Sequence, residues 1–374
     1  MGLVMTPYMR LALMEARRAL GTTSPNPAVG AVVVKDGQVI ARGRTRPPPG
    51  PHAEVVALRR AGEVARGASL YVTLEPCCHH GRTPPCVEAI LKAGVAAVHV
   101  AMLDPDARVN GGGVRVLREA GVAVTVGDGE AEASRLLEAY VKHRRTGLPF
   151  VIAKFAATLD GRIAARSGDS RWVSGPAARE WAHRLRTKVD AIAVGSQTVL
   201  LDDPQLTARP GGRPARRQPL RVVLDSRGRL PLSARVLDPQ APTLVATTAA
   251  SPAEWREALA RRGVEVLVLP QREGRVALPA LLAELGRRGV LSLLVEGGGV
   301  LLGAFFDERL VDKVHAVIAP LIVGAAEAPA AVAGRGADTM AQALRLSGVS
   351  TRRLGSDMLI TGYPAQGGEG GGEV

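Results

Sequence analysis

Cysteine is scarce in this chain of 374 residues: there are 3, all between Cys77 and Cys86, too few and too close for a disulfide framework. That scarcity fits a reducing cytoplasm. Aromatic residues make up 3%, which leaves little for stacking nucleic-acid bases. No apolar run reaches the length of a membrane span, and Met1 to Arg10 lacks the basic-then-apolar layout of a secretory signal. The net charge of +13 comes mostly from Arg scattered along the chain, with no dense basic block. A nucleic-acid reader concentrates its charge on one face or segment. Scattered Arg suits phosphorylated small molecules, which guanidinium clamps well, and the Ala, Arg, Pro and Gly bias also follows from genomic base composition. With 46% hydrophobic and 22% charged residues, the chain is an ordinary globular sequence long enough for two domains.

What is present concentrates in Pro51-His52-Ala53-Glu54 and in Pro76-Cys77-Cys78-His79-His80-Gly81-Arg82-Thr83-Pro84-Pro85-Cys86. Alone, His-x-Glu is common surface sequence, and two cysteines nine positions apart are more often buried fillers. Together and in this order they predict a zinc site. His52, Cys77 and Cys86 supply three ligands, the fourth position stays open for water, and Glu54 is left to move protons. The cysteine spacing is longer than the Cys-x-x-Cys of the general deaminase signature, which narrows the family. The run Pro47 to Pro51 breaks the chain before a helix opening at His52, and Pro84-Pro85 precede a second helix at Cys86. Both ligands then sit at helix N-termini, whose partial positive charge favours thiolate. Cys78, His79 and His80 are spare candidates on the intervening loop. His79 or His80 is expected to face substrate or solvent.

The first part reads as an α/β domain. A helix is predicted at 8–20, a hairpin at 29–34 and 38–41 around Asp36-Gly37, and strands at 69–74, 95–102 and 122–126. Helices are predicted at 113–120 and, as one amphipathic segment, at 130–145. Thr146-Gly147-Leu148-Pro149 is the domain boundary, giving domains of 1–146 and 147–365, with a Gly-rich disordered tail at 366–374. Beyond it, strands at 150–155, 191–194, 220–224, 243–246, 264–269 and 291–295 alternate with helices at 176–187, 252–262, 279–288 and 300–308. This predicts a mostly parallel sheet. The segments 312–319 and 344–363 read as strands that could add an antiparallel edge.

The second domain's local signals are weaker. Glu296-Gly297-Gly298-Gly299 sits between a strand and a helix, where backbone N–H groups can cradle phosphate, but it lacks the dinucleotide fingerprint. Asp202-Asp203-Pro204 reads equally as a capped turn. Trp172 in Ser170-Arg171-Trp172-Val173-Ser174 reads as an exposed aromatic or as a core residue.

Taken together, Pro25-Asn26-Pro27-Ala28-Val29-Gly30, His52-Ala53-Glu54 and Cys77 through Cys86 resemble the riboflavin-pathway pyrimidine deaminases. Lys154 to Ile163, Ser170 to Ser174, Val194 to Arg209, Leu224-Asp225-Ser226 and Val295 to Gly299 resemble the reductase of the same pathway. From about Tyr8 to Gly362 the chain thus resembles the bifunctional deaminase/reductase family. The resemblance implies a cytidine-deaminase-like three-layer domain followed by a dihydrofolate-reductase-like one, using zinc and NADPH. It implies zinc on His52, Cys77 and Cys86, with zinc lowering the pKa of a water, proton transfer by Glu54, and Asn26 on the ring edge. It places NADPH on Ala156, Trp172, Thr198, Asp202, Ser226, Gly298, Gly299 and Gly303. The phosphorylated pyrimidine falls on Ser170, Arg186, Leu206, Arg209 and Glu296, with the two arginines on the ribose phosphate. Asp202 and Glu296 are the only matching carboxylates for the reductase's acid/base step and their roles stay open, as does the arginine reading the 2′-phosphate. The expected partner is a small molecule, not nucleic acid or a membrane, and a homo-oligomer stays open. The alternatives are a tRNA-type base deaminase, a non-catalytic zinc-bearing nucleic-acid binder closed by a fourth ligand, and a chain with one working activity.

Overall fold

Local chemistry sets the first elements. Thr6 caps α1 (Pro7–Ala19), its hydroxyl accepting the Met9 N–H at 3.2 Å, and Pro7 opens the first turn. β1 (Gly30–Lys35) and β2 (Gln38–Arg44) pair antiparallel across Asp36-Gly37, both at positive φ, the conformation this hairpin turn demands. After α2 (Ala53–Ala61) come β3 (Ser69–Val72), α3 (Cys86–Ala93), β4 (Ala97–Val100), α4 (Gly112–Glu119) and β5 (Ala123–Val126). The sheet order is β2-β1-β3-β4-β5, antiparallel around β1 and parallel from β3 to β5.

Gly43 on β2 shows how tightly α2 sits. A Cβ there would lie 2.2 Å from the Ala53 carbonyl oxygen and 2.5 Å from the Ala57 nitrogen, so only glycine admits the helix. Where a single helix over 130–145 is expected, two occur, α5 (Glu130–Leu136) and α6 (Glu138–Thr146). The break is at Leu137, which leaves helical dihedrals where the buried positions step from Ala133 to Leu137 to Tyr140 around the core. Gly147 then caps α6 in the left-handed region.

This computed structural model describes residues 5–81 and 84–365, and the chain divides between Leu148 and Pro149 into two units. The second unit contains β6 (Phe150–Thr158), α7 (Pro176–Arg186), β7 (Ala191–Gly195), α8 (Ser196–Asp202), β8 (Leu220–Leu224), β9 (Thr243–Thr247), α9 (Ala253–Arg261) and β10 (Glu265–Val268). A small hairpin of β11 (Gln271–Arg272) and β12 (Arg275–Val276) precedes α10 (Leu278–Arg287), β13 (Ser292–Glu296), α11 (Gly299–Asp307), β14 (Lys313–Ala319), β15 (Leu346–Leu354) and β16 (Asp357–Pro364). The large sheet runs β10-β9-β8-β7-β13-β6-β14-β16-β15. It is parallel from β10 through β14 and antiparallel at β14-β16-β15, the edge expected from 312–319 and 344–363. Central strands such as Ala191-Ile192-Ala193-Val194 and Leu293-Leu294-Val295 have no exposed surface, the continuous apolar run of a strand covered on both faces. The expected tail at 366–374 lies outside the described residues. Among the described residues no helix is long and apolar enough to cross a membrane.

Candidate metal centre and reductase site

His52 is the N-cap of α2, Glu54 lies in its first turn, Cys86 opens α3, and Cys77 lies on the loop after β3. Two helix starts and one loop therefore converge. His52 Nδ1 is 3.6 Å from Cys77 Sγ and 3.3 Å from Cys86 Sγ, and the three ligand atoms all lie within 4.8 Å of one another. The Cys86 backbone N–H donates to Cys77 Sγ at 3.3 Å, fixing the loop against the helix start. The Cys77 thiol is pulled down to about 4 by its hydrogen bond with Cys86, helped by His52 and opposed by burial. Cys86 is pushed up by the same bond and by burial. Two adjacent thiols whose deprotonation is coupled are a donor set suited to a cation.

Glu54 is 4% exposed and belongs to no ligand set. Burial raises its carboxyl pKa, and its Oε2 makes no hydrogen bond among the described residues. A buried oxygen with no partner costs free energy unless a ligand or water satisfies it, so the donor set and its neighbour fit zinc with a reactive water. Cys78 faces the Arg108 carbonyl at 3.9 Å and His80 pairs with Glu88 at 3.3 Å. Neither these nor His79 joins the metal group among the described residues. Asn26 lies half-buried in the loop between α1 and β1.

One cluster beside the metal loop was not expected. Glu75, 3% exposed, accepts backbone N–H bonds from Asp104 at 3.1 Å, Gly111 at 2.9 Å and Val114 at 3.0 Å. Burial pushes the Asp104 carboxyl up to about 6, and Tyr140 donates to it at 3.0 Å. The signal available in sequence was an acid ending an apolar strand directly before Pro76-Cys77.

In the second unit Thr198, Ser226, Glu296 and Gly298 lie at or just beyond the C-terminal ends of β7, β8 and β13, where open α/β sheets bind ligands, while Arg186 and Asp202 end α7 and α8. Glu296 ends β13 and is 6% exposed. Its Oε2 accepts from Arg186 Nε at 3.0 Å, and its Oε1 has no partner among the described residues. Arg186 Nη1 donates to the Thr207 carbonyl at 3.0 Å, and Arg209 bonds the Thr207 hydroxyl, so the two guanidiniums meet around one residue. Ser170 donates to Asp202 at 3.0 Å. Thr198 lies beneath the glycine turn: a Cβ on Gly298 would be 3.0 Å from its hydroxyl. Ser226 accepts the Val276 N–H at 3.0 Å. Trp172 is 67% exposed with the Arg179 guanidinium 4.5 Å over its ring, so it is not a core residue. Leu206, at φ 51°, turns its side chain inward and is buried. Ala156 packs beside the Ala178, Val317 and Leu359 cluster.

Two glycines acquire a different requirement from the one their turn suggests. A Cβ on Gly299 would lie 2.3 Å from the Ala330 oxygen, and one on Gly303 would lie 2.4 Å from the Gly334 nitrogen. Both positions admit the chain's own 330–334 segment against α11. Gly298, at φ 51° with only Thr198 below, retains the open cradle. Lys154 joins these residues without being among those the sequence resemblance implies. It faces Glu296 in register between β6 and β13, and burial lowers its pKa.

Residues 149–360 match the model of the RibD C-terminal domain, and residues 5–102 match the cytidine and deoxycytidylate deaminase zinc-binding region. The riboflavin biosynthesis protein RibD of Bacillus amyloliquefaciens is 40% identical, with 97% of this chain and 97% of the relative covered. That of Escherichia coli is also 40% identical over 94% and 97%. The chain belongs to the RibD family. The solved Acinetobacter baumannii RibD superposes with a TM-score of 0.86 at 40% identity, covering 96% of this chain and 98% of that one. The diaminohydroxyphosphoribosylaminopyrimidine deaminase/5-amino-6-(5-phosphoribosylamino)uracil reductase of Thermotoga maritima reaches 0.83 at 34%, with the same coverage. As a RibD family member, the chain is a bifunctional deaminase and reductase of riboflavin biosynthesis, with a zinc-binding deaminase half and an NADPH-dependent reductase half. Its folds are cytidine-deaminase-like and dihydrofolate-reductase-like, as the sequence resemblance implies.

Proposed function

We propose that residues 1–146 deaminate a diamino-hydroxy-phosphoribosylaminopyrimidine and that residues 147–365 reduce the resulting phosphoribosylamino-uracil to its ribityl form. The free, buried Oε2 of Glu54 beside the His52, Cys77 and Cys86 set carries the first half of this reading. Zinc on those three ligands supplies Lewis acidity that brings a water's pKa toward neutrality. Glu54 would take a proton from that water as its oxygen bonds the amino-bearing ring carbon and pass it to the nitrogen as the C–N bond breaks to release ammonia, while Asn26 would hold the ring edge. In the second half NADPH supplies hydride for the ribosyl C1. Ala156, Trp172, Thr198, Asp202, Ser226 and the Gly297-Gly298 turn before α11 hold the cofactor. Ser170, Leu206 and Glu296 position the sugar, and Arg186 and Arg209 hold its phosphate. Hydride addition at C1 would break its bond to the ring oxygen. Lys154, next to Glu296, delivers the proton which that oxygen needs. The enzyme works in the cytoplasm on a small molecule, without nucleic acid, as its dispersed charge and scarce aromatics favour.

Metal removal tests the division of labour. Treating the purified protein with a zinc chelator should abolish deamination while NADPH oxidation persists on supplied deaminated intermediate, because the metal group and the reductase residues lie in separate units. Loss of both activities in a protein that stays folded would reject it. The glycine turn has its own test. Valine at Gly298 would be β-branched at positive φ and press on Thr198, so Gly298→Val should weaken NADPH binding at least about 10-fold and leave zinc content unchanged. Unaltered NADPH titration would remove the cofactor from this turn.

A further inference from the structure

The loop Ser226-Arg227-Gly228-Arg229 leaves the C-terminal end of β8 and is fixed from every side. The Asp225 carboxylate, with no exposed surface, closes it by accepting the Leu230 N–H at 2.6 Å. Thr248 donates to the Ser226 carbonyl at 2.7 Å, and the Val276 N–H of β12 donates to the Ser226 hydroxyl. Gly228 sits against Trp255, where a Cβ would be 3.1 Å from the ring, and the Trp255 indole N–H donates to the Leu230 carbonyl at 2.9 Å. The neighbouring Arg229 is engaged, donating to Ser196 Oγ at 2.9 Å. Arg227 alone in this loop carries an exposed guanidinium that makes no hydrogen bond or ion pair among the described residues. Its Nη2 reaches to within 3.9 Å of where a Cβ on Gly274 would stand, at the tip of the β11-β12 hairpin. The carboxylate at that tip, Glu273, faces Arg335 at 4.0 Å.

A hydrogen-bonded loop backbone that presents an exposed guanidinium suits an anion. Ser226 adds a hydroxyl whose own hydrogen remains available, because the oxygen serves Val276 as acceptor. Its place is also right. β8 lies two strands from β13 in the order β8-β7-β13, about 10 Å at the usual strand spacing, so the loop stands across one intervening strand from the Gly297-Gly298 turn. That offset suits a dinucleotide whose diphosphate lies at the turn and whose second phosphate hangs from the adenosine ribose.

We propose that Arg227, with the Ser226 hydroxyl, reads the 2′-phosphate of NADPH and so sets the preference over NADH. This rests on placing the dinucleotide along the Gly297–Gly299 turn. A phosphate monoester offers the charge-assisted, multidentate acceptor that guanidinium matches, whereas NADH presents only a hydroxyl there.

The test is equilibrium titration of the full-length, zinc-loaded chain with NADPH, NADH and 2′,5′-ADP. Arg227→Ala should weaken NADPH and 2′,5′-ADP by about 10- to 100-fold while NADH changes little, and Arg227→Lys should recover part of the loss. The melting temperature should not move, since the side chain has no partner to lose. Equal weakening of NADPH and NADH would overturn the assignment. So would loss of the preference in Arg229→Ala with Arg227→Ala unaffected. Gly298→Val separates the two levels. If it weakens both dinucleotides while Arg227→Ala leaves the preference intact, the turn is right and the reader is wrong. If it weakens neither, the placement itself fails and this proposal with it.

Discussion

Glu54→Gln should retain a full complement of zinc and lose deamination by about 10²- to 10⁴-fold or more, the range set by removing a general acid–base group. The carboxylate is not among the ligands, so the metal set of His52, Cys77 and Cys86 stays complete. Glutamine keeps the volume of a side chain that is 4% exposed, and the fold should survive. What it cannot do is accept a proton from water or return one to ammonia. Two steps suffer, so substrate affinity should change far less than kcat. The same variant should still oxidise NADPH when given the deaminated intermediate. Zinc analysis with both absorbance assays decides the matter, and near-normal deamination would end Glu54's role. If reduction vanished too in a folded protein, the two-site division would be wrong.

The metal centre was legible in sequence because its parts are local and punctuated. His52 and Glu54 share the first turn of one helix, and Cys86 opens another after Pro84-Pro85. Their convergence needed only two helix starts and one loop. The reductase site is less legible because sheet order assembles it. Lys154 and Glu296 are separated by most of a domain, yet β6 and β13 are neighbours in register. Nothing in either local sequence states that pairing. The glycines of α11 teach the same point. Gly298 serves an open turn, whereas Gly299 and Gly303 make room for the chain 330–334, a long-range contact that a strand-glycine-helix pattern cannot distinguish from phosphate binding. α8 escaped for another reason: seven residues with two buried positions show no helical period. The antiparallel edge was readable because its strands follow one another without a crossover helix.

Lys154→Met should reduce the reductase kcat by about 10²- to 10⁴-fold while NADPH affinity and deamination hold. Burial lowers the lysine's pKa, and the Glu296 charge raises it only in part against the nearby Arg186 guanidinium. A lysine so placed gives up a proton more readily than one in water, which suits delivery to a ring oxygen as its bond to C1 breaks. Methionine preserves length and apolar volume without the ammonium, so packing on β6 is retained. Glu296 keeps Arg186 as its partner, and no isolated buried charge is created. A merely structural lysine would show itself in a lowered melting temperature and weakened NADPH binding. A proton donor shows itself in kcat, with binding intact and the basic limb of the pH profile lost. An unaltered kcat would return the role to Glu296, at the end of β13, or to Asp202, at the end of α8. Glu296 is a poor proton donor, because Arg186 and Lys154 outweigh its burial and hold it ionised below the ordinary glutamate range.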